Sequence, residues 1–360
     1  MELLYVWLTL VFNYRYLDIY EFLSMIDKPI ELLNFSANNF KDFDIKETLK
    51  KRFLSSELKN KAHEILKKCQ KEEIKILTKD DKDYPSSLKT LPSKPLIIFL
   101  KGNLCIQDEY SIAIVGARKY TDYGRIATSK IASDLACSNI TIVSGMARGI
   151  DSFAHTAALN NNGRTIAILG SGVNVVYPAE NKKLYENIIN NGAVISEFMP
   201  DTTPLPPYFP MRNRIISGIA LGTLVIEAGI NSGSMITASF AAEQGKNIFA
   251  VPGNIFSPQS EGTNNLIKDG AKIVTSSKDI LEEIYGELSI IKKDIPSICL
   301  SGTEKTIFEN ITYEPINVET LSKKLNLPFN EVNSTLTLLE LKGYINNIPG
   351  GNFIRDEKYI

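Results

Sequence analysis

Four arginines in the central region of the chain lie in or beside turns that follow apolar runs. Arg118 follows SIAIVG, Arg148 lies in SGMARG, and Arg212 and Arg214 belong to FPMRNR. A guanidinium stays charged at every physiological pH and can hold two phosphate oxygens at once. Arginines placed in this way indicate that the ligand is a polyanion. The lysines at 182, 183 and 246 add point charges nearby.

Aromatic side chains are interleaved with these charges. Tyr177 follows a GSG turn, and Phe209 lies three residues before Arg212. Bases of a single strand stack on such rings, at roughly 1–3 kcal/mol each, while cations hold the backbone. For each ring taken singly, packing within a hinge explains the residue equally well.

Three turns with glycine are predicted to open helices: GSG at 170–172, SGMARG at 144–149 and NSGS at 231–234. A turn of this kind directs free backbone N–H groups and the positive end of the helix dipole at a bound anion. The alternative is that these glycines only permit tight turns between a strand and a helix.

The elements that must position these residues are short apolar runs separated by segments of helical period. Unbroken runs rich in Val, Ile and Ala are typical of parallel strands covered by helices on both faces. The runs lie at 111–116, 141–145, 165–172, 193–197, 222–229 and 247–253. They predict an α/β fold with a Rossmann-like, doubly wound, mostly parallel sheet. The ligand crevice of such a sheet lies beyond the carboxyl ends of its strands.

The flanking segments predict two further domains. The N-terminal domain is predicted to be all-helical, and the C-terminal outline of three helices and a hairpin, with its turn at 349–351, is that of a winged helix. The boundaries are 1–80 for the helical domain, 81–104 for a linker and edge strand, 105–287 for the Rossmann-like domain, 288–300 for a linker and 301–360 for the winged helix.

The predicted recognition helix, 328–342, carries Glu331 and Glu340 against Lys342 alone. Duplex binding depends on cations that neutralise phosphates, so a protein contact is at least as good an explanation for this helix.

Composition limits the classes of function that fit. The formal net charge is −1, so an anion site must be a local cluster rather than a basic surface. The four cysteines are widely spaced and form no C-x-x-C pair, which indicates reduced thiols in the cytoplasm and no metal site. The apolar opening LLYVWLTLVF is too short to span a bilayer and lacks the features of a secretory signal, so no membrane insertion is expected.

Common catalytic motifs are missing from the sequence. It contains no G-x-x-x-x-G-K-[ST], and Val175 replaces the third glycine of a dinucleotide-binding G-x-G-x-x-G. The chain has two histidines. One of them, His155, is four residues after Asp151 on one helix face, where a structural pair is the preferred interpretation. We therefore expect no catalytic residue, cofactor or metal.

In several spaced motifs the chain resembles the DprA family of bacterial natural transformation. The matching motifs, in order, are VGARKYTDYG, SGMARGIDSFAH, AILGSGVNVVYPAENKKL, FPMRNRIISG, VIEAGINSGSMITASFAAEQGKNIFAVPGN and EGTNNLIKDGA. The resemblance implies a Rossmann-like core that binds and protects incoming single-stranded DNA, forms a homodimer, helps to load RecA and has no catalytic activity. The N-terminal stretch VFNYRYLD departs from the family's G-x-G helix-hairpin-helix turn.

The resemblance also assigns site residues. It places Arg118, Arg212 and Arg214 on phosphates, with Lys182 and Lys246 as weaker contacts, and the amides of the GSG turn on a phosphate. Glu227 is expected to orient Arg212 or Arg214. The complete predicted site is Gly116, Arg118, Ser144, Arg148, Gly170, Ser171, Gly172, Tyr177, Lys182, Phe209, Arg212, Asn213, Arg214 and Lys246, with Glu227 as the supporting carboxylate.

A second hypothesis belongs to a different class. EAGINSGSMITA is similar to the glycine-rich Glu/Thr turn of lysine-decarboxylase-like (LOG) nucleotide hydrolases, although the Gly-Gly-x-Gly-Thr pattern of those enzymes is missing. Release of free base from nucleoside monophosphates, lost in Glu227→Gln, would favour this enzyme.

Overall fold

A computed structural model describes residues 1–40, 43, 45–291, 302–311, 315–342, 344–348 and 351–355. The chain divides into two compact units, Met1–Glu282 and Glu283–Ile360. Within the described residues, no helix has both the length and the apolar character needed to cross a lipid bilayer.

The first unit contains a nine-stranded sheet. Its strands are β1 (Lys75–Thr78), β2 (Ile97–Gly102), β3 (Ser111–Val115), β4 (Thr141–Ser144), β5 (Thr165–Ile168), β6 (Gly192–Ser196), β7 (Gly222–Val225), β8 (Asn247–Ala250) and β9 (Lys272–Ile273). Their order is β1-β2-β6-β5-β4-β3-β7-β8-β9. Strands β3 to β9 pair in parallel, whereas β2 is antiparallel to β6 and β1 to β2. The predicted Rossmann-like sheet is confirmed, and β1 rather than β2 forms its edge.

Helices cover both faces of this sheet. The first unit contains α1 (Glu2–Phe12), α2 (Tyr16–Ser24), α3 (Glu47–Phe53), α4 (Ser56–Lys71), α5 (Ser86–Lys89), α6 (Asp122–Cys137), α7 (Ile150–Asn160), α8 (Lys182–Asn191), α9 (Tyr208–Ile219), α10 (Gly233–Glu243), α11 (Glu261–Lys268) and the start of α12 (Ser277–Ile291). Short 3₁₀ turns lie at Pro29–Asn34, Ala37–Phe40, Ile106–Glu109 and Ala179–Asn181. Helix α12 runs to Ile291 and so enters the segment predicted as a linker.

The N-terminal helices share a core with the sheet. Trp7 and Phe53 of the helices and Phe99 of β2 belong to one buried cluster. On the other face, Leu88 and Ile215 belong to a second cluster with strand residues. The turn between α1 and α2 has no glycine, but Asn13 and Tyr14 both take left-handed backbone angles, with φ of 51° and 62°.

The second unit has the predicted winged-helix outline. It consists of α13 (Gly302–Glu309), β10 (Ile316–Asn317), α14 (Val318–Leu325), α15 (Phe329–Leu341), β11 (Ile345–Ile348) and β12 (Asn352–Arg355), with the strands in the order β10-β12-β11. Positions 349 and 350 of the predicted hairpin turn lie outside the described residues. Lys342 is paired with Glu304 across 2.7 Å, which further lowers the positive charge at the end of α15.

Candidate nucleic-acid interface

A cleft of about 760 Å³ opens beyond the carboxyl ends of β3 and β7. The chain passes from β3 towards β4 on one side and from β7 towards β8 on the other, so the strand order reverses here. Such a switch point is where open α/β sheets bind ligands. Predicted site residues that line the cleft are Gly116, Arg118, Tyr177, Phe209, Arg212 and Asn213.

Arg118 is the exposed cation of the predicted set at this cleft. Its guanidinium lies over the ring of Phe209, with 5.4 Å from Cζ to the ring centroid. Tyr177 lies next to the same ring, at 5.6 Å between centroids. A guanidinium held against a ring keeps its edge N–H groups free for an anion. This arrangement suits a phosphate contact.

Phe209 packs on the GSG turn. A side chain at Gly170 would come within 2.8 Å of the Phe209 ring, so only glycine allows this approach. Gly170, Ser171 and Arg148 line a smaller recess of about 30 Å³ that shares Arg118 and Phe209 with the cleft. Arg148 itself is exposed and pairs with Glu180.

Arg212 is 4% exposed, and its hydrogen bonds lie within the protein. Its Nη1 donates to the backbone oxygens of Gly145, at 3.0 Å, and Ile168. Burial lowers its pKa to about 10, which still leaves it charged at neutral pH. Arg212 lines the cleft as predicted, but its guanidinium donates to backbone carbonyls at the ends of β4 and β5.

Arg214 does not line the cleft, which contradicts its assignment to a phosphate. It is 8% exposed, and its Nη2 donates to Glu197 Oε2 at 2.7 Å. Its Cζ lies 5.4 Å from the ring centroid of Tyr16. Arg214 on α9 therefore faces Tyr16 of α2, and its charge is paired with Glu197 in the interior.

Lys246, predicted as a phosphate contact, does not line the cleft, and its charge is used inside the molecule. Its Nζ donates to the backbone oxygens of Gly218 and Ala220 at the end of α9, the latter at 2.6 Å. These carbonyls form the negative end of the helix, where a cation is favoured. Lys182 is exposed at the start of α8, outside the lining of the cleft.

Two predicted backbone and hydroxyl contacts are likewise internal. The Ser144 hydroxyl donates to Ile114 O at 2.6 Å, and the Gly172 amide donates to Thr202 O at 2.8 Å. Neither is free for a phosphate.

The three glycine turns differ from one another. GSG does not open a helix, because α8 begins only at Lys182. SGMARG opens α7, but the Asp151 carboxylate already accepts from the amides of Gly145, at 3.1 Å, and Ala147, at 3.4 Å. Burial raises the pKa of Asp151. NSGS opens α10 with Ser232 as its cap, and this turn lines the cleft.

Glu227 contacts neither arginine, so the expected pairing is wrong. Its carboxylate accepts from the Thr121 amide at 2.9 Å and from the Thr121 hydroxyl at 2.5 Å. Since Thr121 also caps α6, Glu227 anchors the loop that carries Arg118. A side chain on Gly124 would collide with this carboxylate.

Several lining residues were absent from the predicted site. Lys119 lies beside Arg118, and Asn231, Ser232 and Gly233 form the start of α10. The NSGS turn was itself the signal for the last three, and the run Arg118-Lys119 was the signal for the lysine.

Comparison with known proteins places the chain in a family. The sheet, the cleft at its switch point and the winged-helix unit define a Rossmann-like binding protein with an appended winged helix. The family model for DNA recombination-mediator protein A matches residues 75–285, and that for the DprA winged helix domain matches 294–351. The chain belongs to the DNA recombination-mediator protein A (DprA) family, and the resemblance seen in the sequence is confirmed.

Relatives and solved structures agree with this assignment. Protein Smf of Escherichia coli is 39% identical over 286 residues, which cover 77% of this chain and 76% of Smf. DprA of Streptococcus pneumoniae is similar in structure, with a TM-score of 0.58, 35% identity and coverage of 71% of this chain and 91% of that one. DNA processing protein A of Helicobacter pylori, described for its unique single-stranded DNA binding mode, has a TM-score of 0.54 and 28% identity over 60% of this chain and 97% of that one.

Proposed function

We propose that the cleft binds single-stranded DNA and that the protein acts there as a recombination mediator, with Arg118 and Lys119 holding phosphates. The observation that carries this is the exposed Arg118 guanidinium, stacked on Phe209 at the mouth of a 760 Å³ cleft. Within the described residues neither cation forms an ion pair. Both charges are therefore available to a polyanion, and the Helicobacter pylori relative supports a single strand as that polyanion.

The test is the affinity for oligo-dT, measured by fluorescence anisotropy over a range of salt concentrations. Arg118→Ala should weaken binding by about tenfold or more, because a hydrogen bond to a charged group contributes about 1.5–3 kcal/mol. It should also reduce the log–log salt slope by about 0.7, the value for one phosphate on a single strand. The affinity of Arg118→Lys should lie between those of the wild type and Arg118→Ala, since lysine keeps the charge and loses the planar guanidinium.

Arg125→Ala is the matched control. It removes the same charge from an exposed arginine that is paired with Asp122 at 3.2 Å and does not line the cleft. Its affinity and slope should equal those of the wild type. An Arg118→Ala variant that behaves like Arg125→Ala contradicts the proposal.

We also infer that the cleft binds rather than hydrolyses its ligand. A hydrolase of the LOG type would need Glu227 at the substrate, but here Glu227 is 1% exposed and is engaged by Thr121. The enzyme hypothesis predicts that the protein releases free base from nucleoside monophosphates. Release by the wild type that disappears in Glu227→Gln would favour the enzyme over the binding protein.

Family membership supports two further parts of the proposal, a homodimer and the loading of RecA. Sedimentation should give twice the mass of one chain. RecA ATPase activity on strands covered by single-strand-binding protein should rise when the protein is added. A monomeric mass would contradict the homodimer, and an unchanged ATPase rate would contradict the loading of RecA.

A further inference from the structure

The two sides of the cleft differ in charge. The basic bank consists of Arg118 and Lys119, after β3. The uncharged bank consists of segments 229–240 and 252–260, which contain no Asp, Glu, Lys or Arg. Both segments of the uncharged bank line the cleft, the first through Asn231 and the second through Pro258. A sugar–phosphate chain on the basic bank leaves the uncharged bank to face the bases.

The uncharged bank also exposes large apolar side chains. Phe256 is 87% and Ile255 82% exposed, and Ile230 is 52% exposed. Ile255 and Phe256 are neighbours in the sequence, and an exposed apolar patch marks a site of interaction with a partner or ligand. The apolar surface adjoins the cleft, because Phe256 is two residues from Pro258 and their Cα atoms are thus within about 8 Å.

Hydrogen bonds hold the loop that carries Phe256 in place. The Phe256 amide donates to Asn254 Oδ1 at 2.9 Å. The Asn264 side chain bonds both the amide and the carbonyl of Gly253, at 3.2 and 3.1 Å. Gln259 O accepts from the Ala228 amide at 2.7 Å, which ties the loop to the turn after β7. The exposure of Phe256 is thus a property of an ordered loop.

Phe209, one of the two aromatic residues predicted for stacking, is already engaged. Phe209 carries Arg118 on its ring and packs against Gly170 and Tyr177. Tyr177, the other predicted ring, lies beside Phe209. A base at the uncharged bank therefore needs another ring, and Phe256 lies two residues from Pro258, which lines the cleft.

We propose that Phe256 is a base-stacking platform on the uncharged bank, for bases of the strand whose phosphates Arg118 holds. This inference rests on the proposed function and adds the orientation of the strand. Stacking on a ring tolerates any base, so the platform binds without sequence preference.

The experiment compares oligo-dT with an abasic oligonucleotide of equal length, which has the same phosphates and no bases. Phe256→Ala should bind oligo-dT roughly fivefold or more weakly, and should bind the abasic strand as the wild type does. The salt slope should not change, because no charge is lost. Phe256→Trp should restore the affinity for oligo-dT. Leu17→Ala, on an exposed apolar residue of α2, is the control and should bind both strands normally.

Phe256→Ala with wild-type affinity for oligo-dT overturns the platform, and so does an equal loss for both strands. If Arg118→Ala still weakens binding in those cases, the proposed function stands. A changed sedimentation mass in Phe256→Ala, with normal DNA binding, assigns this surface to a second copy of the chain and also overturns the platform. No binding of either strand by the wild type overturns both proposals.

Discussion

Replacing Arg214 by methionine should destabilise the first unit without changing the DNA contacts of the cleft. Arg214 Nη2 lies 2.7 Å from Glu197 Oε2, and the Glu197 side chain is fully buried. Burial raises the pKa of Glu197, whereas the charge of Arg214 opposes that rise. Without Arg214, the buried carboxylate loses the charge with which it is directly paired, which costs about 3–5 kcal/mol in the free energy of unfolding.

The loss should depend on pH. In Arg214→Met the folded-state pKa of Glu197 lies still further above its unfolded value of about 4.3. The penalty is complete above the folded-state pKa and disappears as the pH falls towards the unfolded value, where both states hold the proton. The stability of the variant should therefore approach that of the wild type in mild acid.

Urea unfolding followed by tryptophan fluorescence measures this prediction. Trp7 is the single tryptophan, and it is buried in the core that joins the N-terminal helices to the sheet, so its signal reports on the first unit. The double variant Glu197→Leu, Arg214→Met should recover most of the loss, because an apolar pair can replace a buried ion pair at little or no net cost.

One result would refute this reasoning. If Arg214→Met unfolds at the wild-type urea concentration and its salt slope for oligo-dT falls by about 0.7, then Arg214 binds a phosphate. The assignment made from sequence would then be right, and the internal pair would not describe the working state of the protein.

Three other predictions concern charges around the same site. Burial lowers the pKa of His155 to about 3, so only the unfolded state gains a proton as the pH falls below about 6.5. From pH 6 to pH 4 the unfolding free energy of the wild type should fall by about 1.4 kcal/mol per pH unit more than that of His155→Gln. Lys246→Met should lose about 1–3 kcal/mol of stability, since two carbonyls lose their donor, and should keep the wild-type salt slope. Glu180→Gln should tighten oligo-dT binding at low salt by freeing Arg148, with the gain lost at high salt; equal affinities at low salt would contradict it.

The sheet could be predicted from sequence because its signal is local. Runs such as SIAIVG and NIFAVPG are apolar on both faces, and that pattern occurs where helices cover a parallel sheet on both sides. The position of the cleft also followed, since turns after parallel strands meet at one edge. The glycine-free turn at Asn13 and Tyr14 was harder to predict, because few sequence features mark a residue other than glycine that takes left-handed backbone angles.

The sequence only partly predicts whether each arginine side chain faces the cleft or the protein interior. Arg212 lies three and four residues before Ile215 and Ile216, so on a helix it shares their buried stripe. That spacing could have indicated its burial, but it required α9 to be recognised as a helix. Arg214 gave no comparable warning, because its partner Glu197 lies outside α9, after the end of β6.

The sequence by itself determined the family, the parallel sheet and the rim at which the ligand binds, because these follow from apolar runs and from turns read along the chain. Only the tertiary structure decided which cations face the cleft. A guanidinium has the same charge wherever it lies, and its availability depends on whether carbonyls and carboxylates from remote segments reach it first. They do so for Arg212, Arg214 and Lys246, whereas Arg118, held on an aromatic ring, remains exposed to solvent.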